Sequence, residues 1–283
     1  MEANLEQRGL AMKREEIKVC VLRVGGTNCD AETKCAFEES GVKAEVVHVN
    51  EIVKRRNLME YSALVFPGGF SYGDYVRAGA IWAKWILAKL GKDLKAFVHE
   101  NRPVLGICNG FQVLVEAGLL PSFEGISPYP EAALATNFPP GYNCRWIYIK
   151  HENNGRCIFT WKIPKGKVLR MPVAHAEGRF IFAKEKERQY LERLYESDQL
   201  VFRYCTKNGE YAEGRFPTNP NGSFHDVVSI CNPEGTIFGL MPHPERAFYW
   251  WQQPDWTRQA QMPQHGDGKL IFESLIEYLV KKF

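Results

Sequence analysis

Apolar positions fall in short, nearly continuous runs separated by stretches with helical spacing. The run 17–24 (IKVCVLRV) is apolar and rich in β-branched residues and ends at Gly25 and Gly26, which predicts a parallel strand buried on both faces. Residues 30–40 place Ala31, Cys35, Ala36 and Glu39 at helical intervals and stop at Gly41, after which 44–49 (AEVVHV) is apolar again, so this is a β-α-β unit. The run 63–66 (ALVF) repeats the pattern before Pro67, Gly68 and Gly69, and a long amphipathic helix is predicted from about 75 to 90. Next, 103–107 (PVLGI) leads into Cys108 and a helical 112–117 closed by Gly118. Strands alternating with helices predict an α/β fold with a doubly wound, mainly parallel sheet flanked by helices.

The second half changes character. Segments 145–149, 199–204, 227–230 and 236–240 are strand-like, with a turn sequence at 232–235 between the last two, and they predict additional antiparallel strands. Residues 269–283 carry Leu270, Ile271, Leu275, Ile276, Leu279 and Phe283 at i+3 and i+4 spacing, the stripe of a helix that docks on the sheet. The Pro- and Gly-rich stretches 121–142, 214–224 and 252–268 read as surface loops, because strand signals resume around them. The expected organisation is a 1–16 N-terminal extension and one domain over 17–283.

Composition removes several classes of function. With 36 Lys+Arg against 33 Asp+Glu the net charge is +3, and the longest basic run is Lys54-Arg55-Arg56, so no nucleic-acid-binding stripe is expected. The richest apolar stretch, 78–90, carries two lysines and is shorter than the roughly 18 residues of a membrane span, so no membrane partner is expected. Eight cysteines are scattered through the chain with no C-x-x-C pair, which favours free thiols in a reducing cytoplasm and gives no metal half-site.

The strongest local signal is Gly106-Ile107-Cys108-Asn109-Gly110. Small residues two before and two after a nucleophile, at a strand-to-helix junction, form a nucleophile elbow with Cys in place of Ser. A turn that sharp needs glycine at both flanks, and the helix that follows aims its amide dipoles at the sulfur, which favours the thiolate. The Asn109 N–H is then placed to donate to an oxyanion. The same pentapeptide also fits a buried, inert core thiol. Pro67-Gly68-Gly69-Phe70 sits at the C-terminal end of a predicted parallel strand, where open α/β sheets bind ligands, and could supply a second oxyanion donor or be an ordinary turn. Met241-Pro242-His243-Pro244-Glu245 offers a base and a carboxylate to hold its other ring nitrogen, on a backbone fixed by proline. His243 taken alone also fits a surface loop. His175, in Ala174-His175-Ala176-Glu177-Gly178-Arg179-Phe180, reads as structural or partner-facing, because one base suffices.

Taken together, 67–74 (PGGFSYGD), 106–112 (GICNGFQ) and 241–246 (MPHPER) resemble the class I, triad-type glutamine amidotransferases, which have a flavodoxin-like fold. Within that group, CNGFQ, GGFSYGD and 173–180 (VAHAEGRF) resemble the glutaminase subunits of phosphoribosylformylglycinamidine synthase. The likeness spans roughly 17–250 and the C-terminal helix. It implies Cys108 as nucleophile, His243 as base and Glu245 as the group that orients it. It further implies oxyanion-hole amides at Gly69 and Asn109 and a glutamine pocket shaped by Gly68, Gly69 and Gln112, with no metal. The aromatic, Gln-rich stretch after Trp250, the long loops at 121–142 and 205–225 and the extension depart from the pattern.

The reaction so implied is hydrolysis of glutamine through a γ-glutamyl thioester, with ammonia passed to a large synthase subunit that works alongside a small accessory subunit. That synthase uses ATP to make formylglycinamidine ribonucleotide. The sequence has no Gly-x-x-x-x-Gly-Lys-Ser/Thr loop, so ATP and Mg are expected on the partner and no cofactor on this chain. Two other readings stand beside it: a cysteine hydrolase of similar architecture acting on another amide or a peptide, and a catalytically silent docking subunit. The second predicts an eroded triad, which this sequence does not have.

Overall fold

In a computed structural model, the described residues are 12–55, 58–258 and 262–282. Most of the 1–16 extension, Arg56 of the basic run and Phe283 of the terminal stripe lie outside them. The strands are β1 (Lys18–Arg23), β2 (Lys43–His48), β3 (Ala63–Phe66), β4 (Val104–Ile107), β5 (Ala133–Ala135), β6 (Asn143–His151), β7 (Val168–His175), β8 (Arg179–Ile181), β9 (Leu200–Cys205), β10 (Val227–Cys231) and β11 (Ile237–Leu240). The helices are α1 (Asp30–Glu39), α2 (Val49–Arg55), α3 (Ala80–His99), α4 (Asn109–Glu116), α5 (Glu187–Glu196) and α6 (Lys269–Lys282).

Nine strands form one sheet in the order β2-β1-β3-β4-β11-β10-β9-β6-β7. The first five are parallel, and the pairings from β11 onward are antiparallel. β3, β4, β10 and β11 are buried at every position, as their continuous apolar runs predict. β5 and β8 pair separately. All eight residues of α4 are buried, so the helix after Cys108 is a core element with no solvent face. Among the described residues no helix is long and apolar enough to cross a membrane.

Two expectations are corrected, and two elements are added that the pattern did not predict. The long helix starts at Ala80, not near 75, because the chain first spends left-handed residues at Tyr72, Gly73, Asp74 and Gly79 on turns, and it runs past Gly91 because Leu94 and Phe97 continue its buried stripe. β7 and α5 carry no strand or helix expectation from the pattern: Pro172 interrupts the first, and only Leu194 is buried in the second. Among the described residues β7 pairs only with β6, the edge position where proline is tolerated. The stretch 214–224 is partly interior, not a surface loop. Asn219 and Asn221 are fully buried, with Asn219 Nδ2 donating to Asp226 Oδ1 at 2.9 Å and Asn221 Nδ2 donating to Gly178 O at 2.7 Å.

Candidate active site

The C-terminal ends of β1, β3, β4 and β11 converge. Cys108 follows β4 with φ 50° and ψ −105°, outside the usual left-handed well, and its N–H donates to Leu240 O at 2.8 Å. The elbow needs both glycines: a Cβ on Gly106 would stand 2.8 Å from the Gly110 carbonyl, and one on Gly110 would stand 1.8 Å from Phe66 O. Asn109 is the first residue of α4, so its N–H has no helical carbonyl partner. Gly69, at the end of β3, has φ 150°, and a Cβ there would meet Gly26 O at 2.8 Å.

His243 and Glu245 are both buried, and His243 Nδ1 lies 2.6 Å from Glu245 Oε1. The His243 N–H donates to Pro172 O at 2.9 Å, and Cys108 Sγ lies 3.8 Å from Ala174 O. β7, last in the sheet order, therefore returns to brace both the thiol and the histidine. Burial works against protonation of His243, but the Glu245 carboxylate and then Cys108 hold its pKa well above the ordinary imidazole value. His243 Nε2 and Glu245 Oε2 have no hydrogen-bond partner. Gly68 leaves room for this pair, since a Cβ there would fall 2.7 Å from His243 Cε1 and 3.0 Å from Cys29 Sγ.

A cavity of about 220 Å³ is lined by Gly69, Asp74, Cys108, Gln112, His175 and Glu177 among others. Gln112 is held on both sides: its Oε1 accepts from Asn109 Nδ2 at 3.0 Å and its Nε2 donates to Glu177 O. The Asn109 side chain also accepts from the Ser71 N–H at 3.2 Å, so its amide group is spent on structure while its backbone N–H stays available. The predicted residues thus divide into a cavity wall (Gly69, Cys108, Gln112), a buried histidine-carboxylate pair (His243, Glu245), and supports (Gly68, Asn109).

Three further residues belong here that the motifs did not assign. Cys29 Sγ accepts from Arg246 Nη2 at 3.1 Å, and Arg246 Nε donates to Glu32 Oε1 at 2.7 Å. Burial pushes the Cys29 thiol up to about 11, against the lowering effect of His243 and Arg246. Cys29, His243 and Glu245 bring ligand-type atoms within 4.8 Å of one another. Of these, His243 Nδ1 and Glu245 Oε1 are engaged with each other and Cys29 Sγ with Arg246, while His243 Nε2 and Glu245 Oε2 have no partner. Asp74 and Glu177 are the other two. The sequence signal was present in each case: Cys29 follows Gly25-Gly26 at the end of β1, and Asp74 and Glu177 stand inside the quoted motifs.

Residues 16–279 match the family model of the CobB/CobQ-like glutamine amidotransferase domain. A phosphoribosylformylglycinamidine synthase subunit PurQ from Archaeoglobus fulgidus is 48% identical, with 95% of this chain and 100% of that one covered. The PurQ subunit from Methanothrix thermoacetophila is 39% identical over 94% of this chain and 99% of its own length. Among solved structures, a chain of PurLQS from Thermotoga maritima superposes with a TM-score of 0.69 at 30% identity, covering 93% of this chain and 99% of that chain. The glutaminase domain of Trypanosoma brucei CTPS shares the fold, with a TM-score of 0.53 at 14% identity, 94% of this chain and 95% of that one being covered. A strained, glycine-flanked cysteine turn, a buried His-Glu pair and a match over nearly the whole length agree: this chain belongs to the CobB/CobQ-like glutamine amidotransferase family, in the group of the PurQ subunits.

Proposed function

We propose that this chain is the glutaminase subunit of a phosphoribosylformylglycinamidine synthase, with Cys108 as its nucleophile. The observation that carries the assignment of the nucleophile is the strained elbow at Cys108, braced by the same strand as a buried His243 that Glu245 holds by Nδ1. Glu245 fixes the ring so that Nε2 is the nitrogen left for proton transfer. The Cys108 sulfur attacks the γ-carboxamide carbon of glutamine, and the oxygen that becomes negative is received by the N–H groups of Gly69 and Asn109. His243 delivers a proton to the departing ammonia, leaving a γ-glutamyl thioester. Water, deprotonated by the same imidazole, then attacks the thioester carbon and releases glutamate. Gln112 and Gly68 act as supports, the first shaping the pocket and the second leaving space for the base.

The ammonia goes to the synthase partner, where ATP and Mg are used to convert formylglycinamide ribonucleotide into its amidine, with the small accessory subunit in the assembly. Phe70, which lines the cavity, is exposed, as are Tyr75 and Val76 close by in the chain and Tyr142, whose ring lies 6.3 Å from that of Phe70, and they support docking of the partner there. The test is reconstitution with the synthase subunits. Cys108→Ala and His243→Ala should each abolish glutamine-dependent synthesis and leave ammonia-dependent synthesis intact. Equal loss of both activities would assign these residues a structural role.

A further inference from the structure

The cavity beside Cys108 is lined by acceptors, and their arrangement says something about the far end of the substrate; this inference rests on the glutamine reading above. Gln112 is held in place by the protein, its Oε1 accepting from Asn109 Nδ2 and its Nε2 spending one of two N–H groups on Glu177 O. His175 can be assigned a tautomer from its neighbours. Asn137 Nδ2 donates to Gly141 O at 2.9 Å and His175 O at 2.8 Å, and Asn137 Oδ1 accepts from the Gly178 N–H at 3.0 Å, so that oxygen faces His175 Nδ1 at 3.2 Å as an acceptor. Nδ1 therefore carries the proton, and Nε2, buried and without a partner, carries a lone pair. Burial keeps this ring neutral, its pKa pushed down to about 3.

The other two polar side chains of the wall are carboxylates. Asp74 Oδ1 accepts from Asn109 Nδ2 at 3.3 Å, and Glu177 Oε2 accepts from the Ala78 N–H at 3.0 Å. Neither Lys nor Arg is among the described residues lining the cavity. The guanidinium nearest in sequence, Arg77, is committed to Glu116, with Nε to Oε1 at 2.7 Å and Nη2 to Oε2 at 2.5 Å. Two carboxylates thus share one small cavity with the nucleophile and with no Lys or Arg in its described lining; Arg77, outside it, feels the charge of Glu177 but is held by Glu116. Burial, and after it the charge of Glu177, raise the Asp74 carboxyl to about 6. A bound cation with several N–H donors would relieve that repulsion.

We propose that the Asp74 carboxylate, assisted by Glu177, receives the α-ammonium group of glutamine, so that the site selects a free amino acid over an amide that lacks this charge. Asp74 and Glu177 are then specificity-determining residues, distinct from the thiol and its base.

The experiment is steady-state ammonia release in the reconstituted synthase complex, with glutamine and with 4-carbamoylbutanoate, the same molecule without its α-amino group. Wild type should favour glutamine by roughly 10- to 100-fold in kcat/KM, the range of a charge-assisted hydrogen bond. Asp74→Asn should lower kcat/KM for glutamine by a similar factor, mainly through KM, and leave the analogue unchanged; asparagine tolerates the left-handed backbone at this position. Glu177→Gln should give a smaller change of the same kind. Direct binding provides a second readout: in a complex carrying Cys108→Ala, adding Asp74→Asn should weaken glutamine binding by roughly 10- to 100-fold in calorimetry. Near-equal use of both substrates by wild type, an equal loss on both in Asp74→Asn, or unchanged binding would each overturn the proposal. Failure of the glutamine reading itself would look different, as no ammonia release from glutamine by the wild-type complex.

Discussion

Replacing Cys108 by glycine should give a dead but more stable protein than replacing it by alanine. Cys108 sits at φ 50° and ψ −105°, a conformation that any residue with a Cβ occupies at a cost. Such positions store of order 1–3 kcal/mol, held in place by the surroundings, which here are Leu240 O on the Cys108 N–H and the packed glycines at 106 and 110. Alanine keeps the Cβ and therefore the strain, and both substitutions remove the same sulfur. Glycine removes the strain but gives the unfolded chain more freedom, which costs about 0.5–1 kcal/mol. The difference leaves Cys108→Gly ahead by about 1 kcal/mol, within a range of about 0–2.5 kcal/mol. For a chain of this size about 1 kcal/mol is roughly 2–4 °C in Tm. Thermal and urea unfolding of the two variants, side by side, measure it. Equal stability, or alanine ahead, would refute the idea that the elbow holds strain at the nucleophile.

Three more outcomes follow from the same geometry. Gly68→Ala places a Cβ 2.7 Å from His243 Cε1, and the displaced base should cost roughly 100-fold in glutamine-dependent kcat, with ammonia-dependent synthesis unchanged. Glu245→Gln keeps the shape but removes the charge that holds the imidazole, so glutamine hydrolysis should fall roughly 10²- to 10⁴-fold, and NMR of the His243 ring should show a lowered pKa. The folded pKa of His243 lies above its ordinary value of 6.5, so the stability it brings is fully present below pH 6.5 and is lost as pH rises through the folded value. The Tm advantage of wild type over His243→Gln should therefore shrink as pH is raised above 6.5.

The parallel half of the fold is legible because its strands are buried on both faces and so read as unbroken apolar runs bounded by glycine. The antiparallel half is less so. β7 alternates buried and half-buried positions around Pro172 and Arg170, and only its pairing with β6 makes it a strand. The same holds for the interior loop at Asn219 and Asn221, since asparagine in a Pro- and Gly-rich stretch looks like a surface turn until its amides are seen to cap Asp226 and Gly178. At the site, Cys108, His243 and Glu245 could be proposed from sequence because each role carries a local constraint, a glycine-flanked turn or a proline-fixed backbone. Asp74 and Glu177 stand inside the quoted motifs, but no local constraint there says what they do. Their meaning comes from sharing one cavity, across 103 positions of sequence, a juxtaposition that folding alone creates.

Whether Cys108 is the nucleophile can be asked most directly with a glutamine-mimicking electrophile, followed by mass analysis of the peptides from the synthase complex. A single adduct on Cys108, absent in Cys108→Ala and prevented by excess glutamine, is the predicted result. An adduct on Cys29 instead, or none with the partner present, would contradict the central assignment.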